Sequence, residues 1–267
     1  MPRAEPQAAD ACAPLLQVQR LQRRFGNLRA VDDVCFDLWP GEVLAIVGES
    51  GSGKSTLLHS LAGHAPPDDG CVLFNRREHG PSDLYALPEG ERRAIARTDL
   101  GFVHQHAADG LRMNVSAGAN VAERLMALGQ RNYADLRSQA LMWLERVEID
   151  PARIDDTPDK FSGGMQQRLQ IARNLITLPR LMFLDEPTSG LDVSVQARLL
   201  DLLRHLTRQL GLAAILVTHD LAVARLLAHR TLVMRRGQVV ESGLTDQVLD
   251  DPEHAYTQLL VSSVLPP

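Results

Sequence analysis

The sequence predicts an α/β fold: a phosphate-loop (P-loop) parallel-sheet core, an antiparallel β layer ahead of it, and an inserted helical subdomain. Three observations predict it. The apolar run Val43 to Val47 delivers the chain into a glycine-rich turn followed by the helix-like Leu57-Leu58-His59-Ser60-Leu61. From Met165 onward, short apolar strands alternate with helices, the pattern of a mostly parallel sheet covered on both faces. Between these two parts, from Ser116 to Val147, apolar residues fall only at helical spacing. At 267 residues the chain can bury a large core, as one big domain or as one domain with an inserted lobe.

Taken in order, Met1 to Pro14 holds Pro, Ala, Glu and Asp without the apolar segment of a signal peptide, so residues 1–14 are expected to form a disordered tail. Leu15 to Leu21 and Val34 to Leu38 alternate apolar and polar residues around a Gly26-Asn27 turn, which predicts paired antiparallel strands. Phe25 ends the first of these, where its ring could stack on a purine base or serve as an ordinary core or turn residue. Beyond the glycine-rich turn, Pro66 to Gly70 reads as a loop, Cys71 to Phe74 as a short strand, Pro88 to Arg97 as a surface helix and Leu100 to Val103 as a strand. In the second half, strands at 181–184, 213–217 and 231–234 alternate with helices ending at Ile176 and spanning 193–210 and 221–228.

Composition narrows the partners. The net charge is -5 with a pI of about 6.0, and the arginines are scattered, so no basic stripe for nucleic acid is present. Three widely spaced cysteines, Cys12, Cys35 and Cys71, fit reduced thiols in a cytoplasmic protein rather than a disulfide or zinc framework. No stretch is long and apolar enough to span a bilayer, so direct membrane insertion is not expected.

Gly48-Glu49-Ser50-Gly51-Ser52-Gly53-Lys54-Ser55-Thr56 fits Gly-x4-Gly-Lys-Ser at every fixed position, between a strand and a helix. Backbone N–H groups in such a turn converge on phosphate oxygens, Lys54 reaches the outer phosphates, and the Ser55 hydroxyl is placed for Mg²⁺. The strand ending at Leu184 runs into Asp185-Glu186, at the strand end where α/β sheets bind ligands. Asp185 suits an Mg²⁺ shell, and Glu186 can polarise a water for attack on a γ-phosphate; a solvated acidic turn is the competing reading. Phe161 to Arg168 puts Ser162, Gly163 and Gly164 at the start of a long helix, a second anion site. This second element can bind another phosphate of the same ligand or face a nucleotide held by another subunit.

These elements together resemble the ATP-binding cassette (ABC) ATPase family over about residues 15–249. The resemblance implies an ABC ATPase domain at 15–250, with a helical subdomain at approximately 106–165 and a C-terminal tail at 251–267. It implies that Phe25 stacks on adenine, that residues 48–56 are the Walker A loop binding ATP, and that Asp185 and Glu186 are the Walker B aspartate and catalytic glutamate. It further implies that Gln105 is the glutamine contacting Mg²⁺ and the attacking water, and that His219 senses the γ-phosphate. Ser162, Gly163, Gly164 and Gln166 match the signature facing the ATP of a second ABC subunit, with Asp192 in the D-loop. In this family ATP closes a head-to-tail homo- or heterodimer and hydrolysis opens it.

Two branches of the family compete. Asp251 to Leu260 resembles the end of the ATPases of peptide and nickel importers, without their cysteine cluster. The stretches Val103 to Arg112, Val115 to Gly118, Glu123 to Met126 and Phe161 to Asn174 are more similar to the ATP-binding subunits of bacterial carbon–phosphorus lyase systems, which act in phosphonate breakdown. That resemblance implies docking on the soluble lyase core; the region after Gln105, where importer ATPases receive their membrane partner, is polar here, so His104 to Met126 is the expected docking surface, with Arg112 and Arg124 as its charged contacts. An importer motor for peptides, nickel or phosphonates is the alternative. A phosphate-loop kinase or GTPase is a third reading, against which stand the Ser162-Gly163-Gly164 element and the helical insertion.

Overall fold

The computed structural model describes residues 13–264, so residues 1–12 of the expected N-terminal tail lie outside the described residues. Strands β1 (Leu16–Phe25) and β2 (Leu28–Leu38) pair antiparallel across the Gly26-Asn27 turn, with Phe25 opposite Leu28. On the other side of β1, the chain adds β4 (Asp69–Arg76) and then β5 (Gly80–Asp83), giving the sheet order β2-β1-β4-β5.

The larger sheet has the order β10-β9-β3-β8-β7-β6, built from β3 (Val43–Val47), β6 (Leu100–Val103), β7 (Leu181–Asp185), β8 (Ala213–Thr218), β9 (Arg230–Arg235) and β10 (Gln238–Leu244). All its pairings are parallel except β9 with β10. Its central strands are buried on both faces, which is why they read as unbroken apolar runs. Successive side chains still point opposite ways. On β7, Leu181 and Phe183 join the core under the antiparallel layer, while Met182 and Leu184 join the core shared with the helical subdomain. Each such fully buried side chain contributes roughly 1.5–3 kcal/mol.

Helix α1 (Lys54–Leu61) follows β3, and α2 (Glu89–Thr98) precedes β6. The inserted segment carries α3 (Ala107–Gly110), α4 (Ala117–Ala127) and α5 (Tyr133–Arg146), and returns to the sheet through α6 (Gly163–Leu175). Ser116 and Asn132 cap α4 and α5 with their side chains, and Trp143 sits in the core between the helices. The second half continues with α7 (Val193–Leu210), α8 (Leu221–Leu227), α9 (Thr245–Asp250) and α10 (Ala255–Val264).

Four elements differ from the sequence expectation. β5 and β10 carry polar and glycine residues and lie at sheet edges, so they lack the apolar alternation that marks a strand. The β9–β10 hairpin turns on Arg236-Gly237, both at positive φ (48° and 85°), a pairing without the usual Asn-Gly signal. α9 and α10 follow β10, and α10 falls within the expected C-terminal tail at 251–267. Tyr256 of α10 is buried with Val47, Leu221 and Val248, so this segment is part of the folded core.

Arg124 is also corrected. Its guanidinium lies between elements, donating to the carbonyls of Ala96, Arg97 and Leu100 and to Asn174 Oδ1, and burial lowers its pKa to about 10. It holds α4 against α2 and β6 and is not a surface contact. Arg112, by contrast, is exposed and pairs with Glu123 at 2.7 Å.

Candidate active site

The parallel strands end level with one another. Val47 is in register with Thr218, Asp185 with Val217, and Val103 with Leu184. Each strand therefore releases its next residues at one rim: Gly48 after β3, His104 and Gln105 after β6, Glu186 after β7, and His219 after β8. That rim is where open α/β sheets bind ligands.

The glycine-rich loop is shaped by close backbone approach. Gly48 (φ +148°) and Gly53 (φ +104°) leave no room for a side chain, since a Cβ would run into the carbonyl oxygens of Met234 and Ala30 respectively. Lys54 lies back over the loop, its Nζ donating to Gly48 O and Glu49 O, each at 2.8 Å. Burial lowers its pKa, opposed by the charges of Glu186, Asp185 and Glu49. The Ser52 hydroxyl is buried without a hydrogen-bond partner among the described residues. The first-turn N–H groups of α1 complete a surface suited to an anion.

Ser55 Oγ donates to Asp185 Oδ1 at 3.0 Å, so a hydroxyl and a carboxylate from distant segments meet at the loop. Burial raises the Asp185 pKa, with the Ser55 hydrogen bond acting against it. The neighbouring Glu186 stands at φ +42°, a left-handed conformation that costs a glutamate about 1–3 kcal/mol. Its carboxylate lies between Gln105 Nε2 at 3.3 Å and His219 Nδ1 at 3.1 Å, and the same amide reaches Ser189 Oγ at 3.2 Å. An acid flanked by an amide and an imidazole can orient a water and take its proton.

A cleft of about 990 Å³ runs from Phe25 past residues 50–56 to Glu186 and His219. Phe25 is 54% exposed, with the Arg23 guanidinium 5.2 Å from its ring centroid, so the ring belongs to the cleft and not to the core. Gln105 also lines this cleft; Ser162, Gly163, Gly164 and Gln166 do not. Ser162 caps α6 by accepting from Met165 N, and Gln166 Nε2 donates to Pro158 O and Phe161 O. A Cβ on Gly164 would run into Val195, which packs the start of α6 against the start of α7. Asp192 caps α7 by accepting from Val195 N at 3.0 Å, and its carboxyl is held below the usual range by the Ser194 hydroxyl and that N–H.

Residues 31–189 match the ABC transporter family. The chain belongs to the ABC ATPases. As a member it binds and hydrolyses ATP. It is 63% identical over 94% of its length, and 98% of the relative's, to the putative phosphonates utilization ATP-binding protein PhnK of Escherichia coli (strain K12). It is 38% identical to the dipeptide transport ATP-binding protein DppD of Bacillus subtilis (strain 168), covering 94% of this chain and 76% of that one. Among solved structures, the dimeric post-hydrolysis state of the ATP-binding cassette MJ0796 bound to ADP and Pi superposes with a TM-score of 0.76 at 29% identity, over 86% of this chain and 98% of that chain. The structure of cbiO1 from Clostridium perfringens, part of the ABC transporter complex cbiONQ, gives a TM-score of 0.77 at 27% identity, over 95% of this chain and 96% of that chain.

Other residues support the cassette's site without having been singled out in the sequence. Gln167, Gln170 and Asn174 lie on one buried face of α6. Asn174 exchanges hydrogen bonds with Phe102 N and O, Gln170 accepts from His104 N at 2.5 Å, and Gln167 Nε2 donates to Gln105 O at 2.9 Å. These amides continue the ladder along the free edge of β6 and hold the backbone at Gln105. Their spacing of three and four residues on an otherwise apolar helix face was a readable signal. Arg236, at the tip of the β9–β10 hairpin, also lines the cleft. The hairpin reaches the loop through Gly237 N, which donates to Ser52 O at 2.9 Å.

Proposed function

We propose that this cassette is the cytoplasmic ATP-hydrolysing subunit of a bacterial carbon–phosphorus lyase system, acting in phosphonate catabolism by ATP-driven dimer closure on the lyase core. The observation that carries this reading is the near end-to-end 63% identity to a phosphonates utilization ATP-binding protein. Among the described residues, no helix is long and apolar enough to cross a membrane.

At the site, the phosphates lie on the N–H groups of residues 50–56 with Lys54 turned outward to them, and Phe25 faces the base. Ser55 and Asp185 would hold Mg²⁺, which fits a hydroxyl and a carboxylate already 3.0 Å apart, with Gln105 beside them. When bound, Mg²⁺ supplies charge neutralisation at the phosphate oxygens. Glu186 takes the proton of the attacking water, Gln105 orients that carboxylate, and His219 stands on its other side, where it can meet the γ-phosphate. The bond from the γ-phosphorus to its bridging oxygen breaks as the water oxygen bonds to phosphorus, giving ADP and phosphate. Ser162, Gly163, Gly164 and Gln166 serve the ATP of a second cassette, in keeping with their position outside this chain's own cleft.

The second reading, an importer motor, is supported by 38% identity to a dipeptide transport ATP-binding protein. Affinity purification from cells grown on a phosphonate as sole phosphorus source separates the two. Soluble lyase-core subunits in stoichiometric amount, without a permease, are expected; a permease with no lyase subunits would make the protein an importer motor.

A further inference from the structure

The C-terminal stretch Asp251 to Leu260 has no part in the site as built above, yet α10 is bonded to the glycine-rich loop. The hydroxyl of Tyr256 accepts the N–H of Glu49 at 3.1 Å. That N–H belongs to the same peptide group as the Gly48 carbonyl, which accepts Lys54 Nζ at 2.8 Å. A peptide group is planar, so holding its N–H also aims its carbonyl. Tyr256 thus holds the plane on which the Lys54 ammonium rests.

The tyrosine is itself firmly placed. It is 4% exposed, packed with Val47 at the end of β3, and the Arg235 guanidinium lies 4.8 Å from its ring centroid. The entry to α10 is tied to the sheet by Glu241 of β10, whose carboxylate accepts from Glu253 N at 2.9 Å and His254 N at 3.0 Å. His254 Nδ1 in turn accepts Tyr256 N at 3.0 Å. A continuous set of hydrogen bonds therefore runs from the edge strand through α10 to the peptide beneath Lys54.

We propose that Tyr256 is a positioning residue for the nucleotide site, and that the C-terminal helix sets the loop's affinity for the ATP polyphosphate. The inference rests on the reading of residues 48–56 as the phosphate cradle, and it is independent of which larger assembly the cassette serves. Tyr256→Phe keeps the ring and its packing and removes only the oxygen.

At 10 °C, with the folding of both proteins checked by circular dichroism, the Kd of the full-length variant for MgATP should rise about three- to tenfold, the factor one lost hydrogen bond carries. Turnover at saturating ATP should stay within about twofold, and amide exchange at residues 48–51 should quicken while the sheet strands exchange as before. A Kd within twofold of wild type would overturn the proposal, as would a rise accompanied by faster exchange throughout the sheet. Lys54→Ala tests the cradle separately: if that variant binds MgATP like wild type, the reading of the loop fails, whatever Tyr256→Phe does.

Discussion

Asp185 combines burial, which favours its neutral form, with a proposed role that needs its charge. Its pKa in the folded protein lies above the ordinary value because burial penalises the carboxylate. The fold therefore holds that proton more tightly than the unfolded chain does. The stability Asp185 lends is complete below the ordinary carboxylate range and is lost as pH rises through the raised value. Asp185→Asn keeps an acceptor for Ser55 and removes the cost of the buried charge. Thermal melts at pH 7 with a chelator present should show a higher Tm for this variant than for wild type, while calorimetric titration shows Mg²⁺-dependent ATP binding weakened at least about tenfold. A lower Tm would mean that the charge contributes more than its burial costs. Glu186 shows the same trade in its backbone, standing at φ +42° where a glycine would be unstrained.

Among the elements, α6 joins the two halves of the site. Its first residues are Gly163 and Gly164, and farther along, Gln167, Gln170 and Asn174 stand against β6 and the turn that carries Gln105. A displacement of α6 must move the backbone of Gln105, because the amides bond both its carbonyl and that of His104. Gln170→Leu keeps roughly the same volume and leaves His104 N unpaired in a partly buried position. The expected loss is about 1–3 kcal/mol in urea denaturation, with ATPase activity reduced further than stability alone explains, since the turn that carries Gln105 then loses its anchor at His104 N. Full activity in a destabilised variant would show that the ladder serves folding only.

At the scale of the whole molecule, the cradle and the Ser162-Gly163-Gly164 element belong to different surfaces. One chain supplies the cleft along the sheet rim, while the helix start packs on Leu191 and Val195 and stays out of that cleft. The related cassette MJ0796 is dimeric in its post-hydrolysis state with ADP and Pi bound. Under the proposed mechanism, ATP binds more tightly to the closed dimer, where both sets of donors engage, and so shifts the population toward it. Glu186→Gln should retain ATP binding, lower turnover at least about a hundredfold, and elute in size-exclusion chromatography as a dimer with ATP and at smaller size without it. Turnover near wild type would remove Glu186 from the role of base, and an unchanged elution volume would send the search to a different cassette as partner.

The sequence by itself determined the fold family and the neighbourhood of the site. Residues 43–61 spell strand, glycine turn and helix in consecutive positions, and Leu181 to Glu186 spell a buried strand ending in two acids. Such signals are local, because periodicity and turn chemistry act between near neighbours in the chain. Only the tertiary structure decided which distant groups meet. Gln105 and Glu186 lie 81 residues apart, and Glu49 and Tyr256 lie 207 apart, joined by strand order and register. The same assembly turned Arg124 inward to backbone carbonyls and made the C-terminal segment a packed helix. Neither outcome is written in the residues beside them, since an arginine or a short apolar helix reads alike on a surface and at a junction until the partner segments are in place.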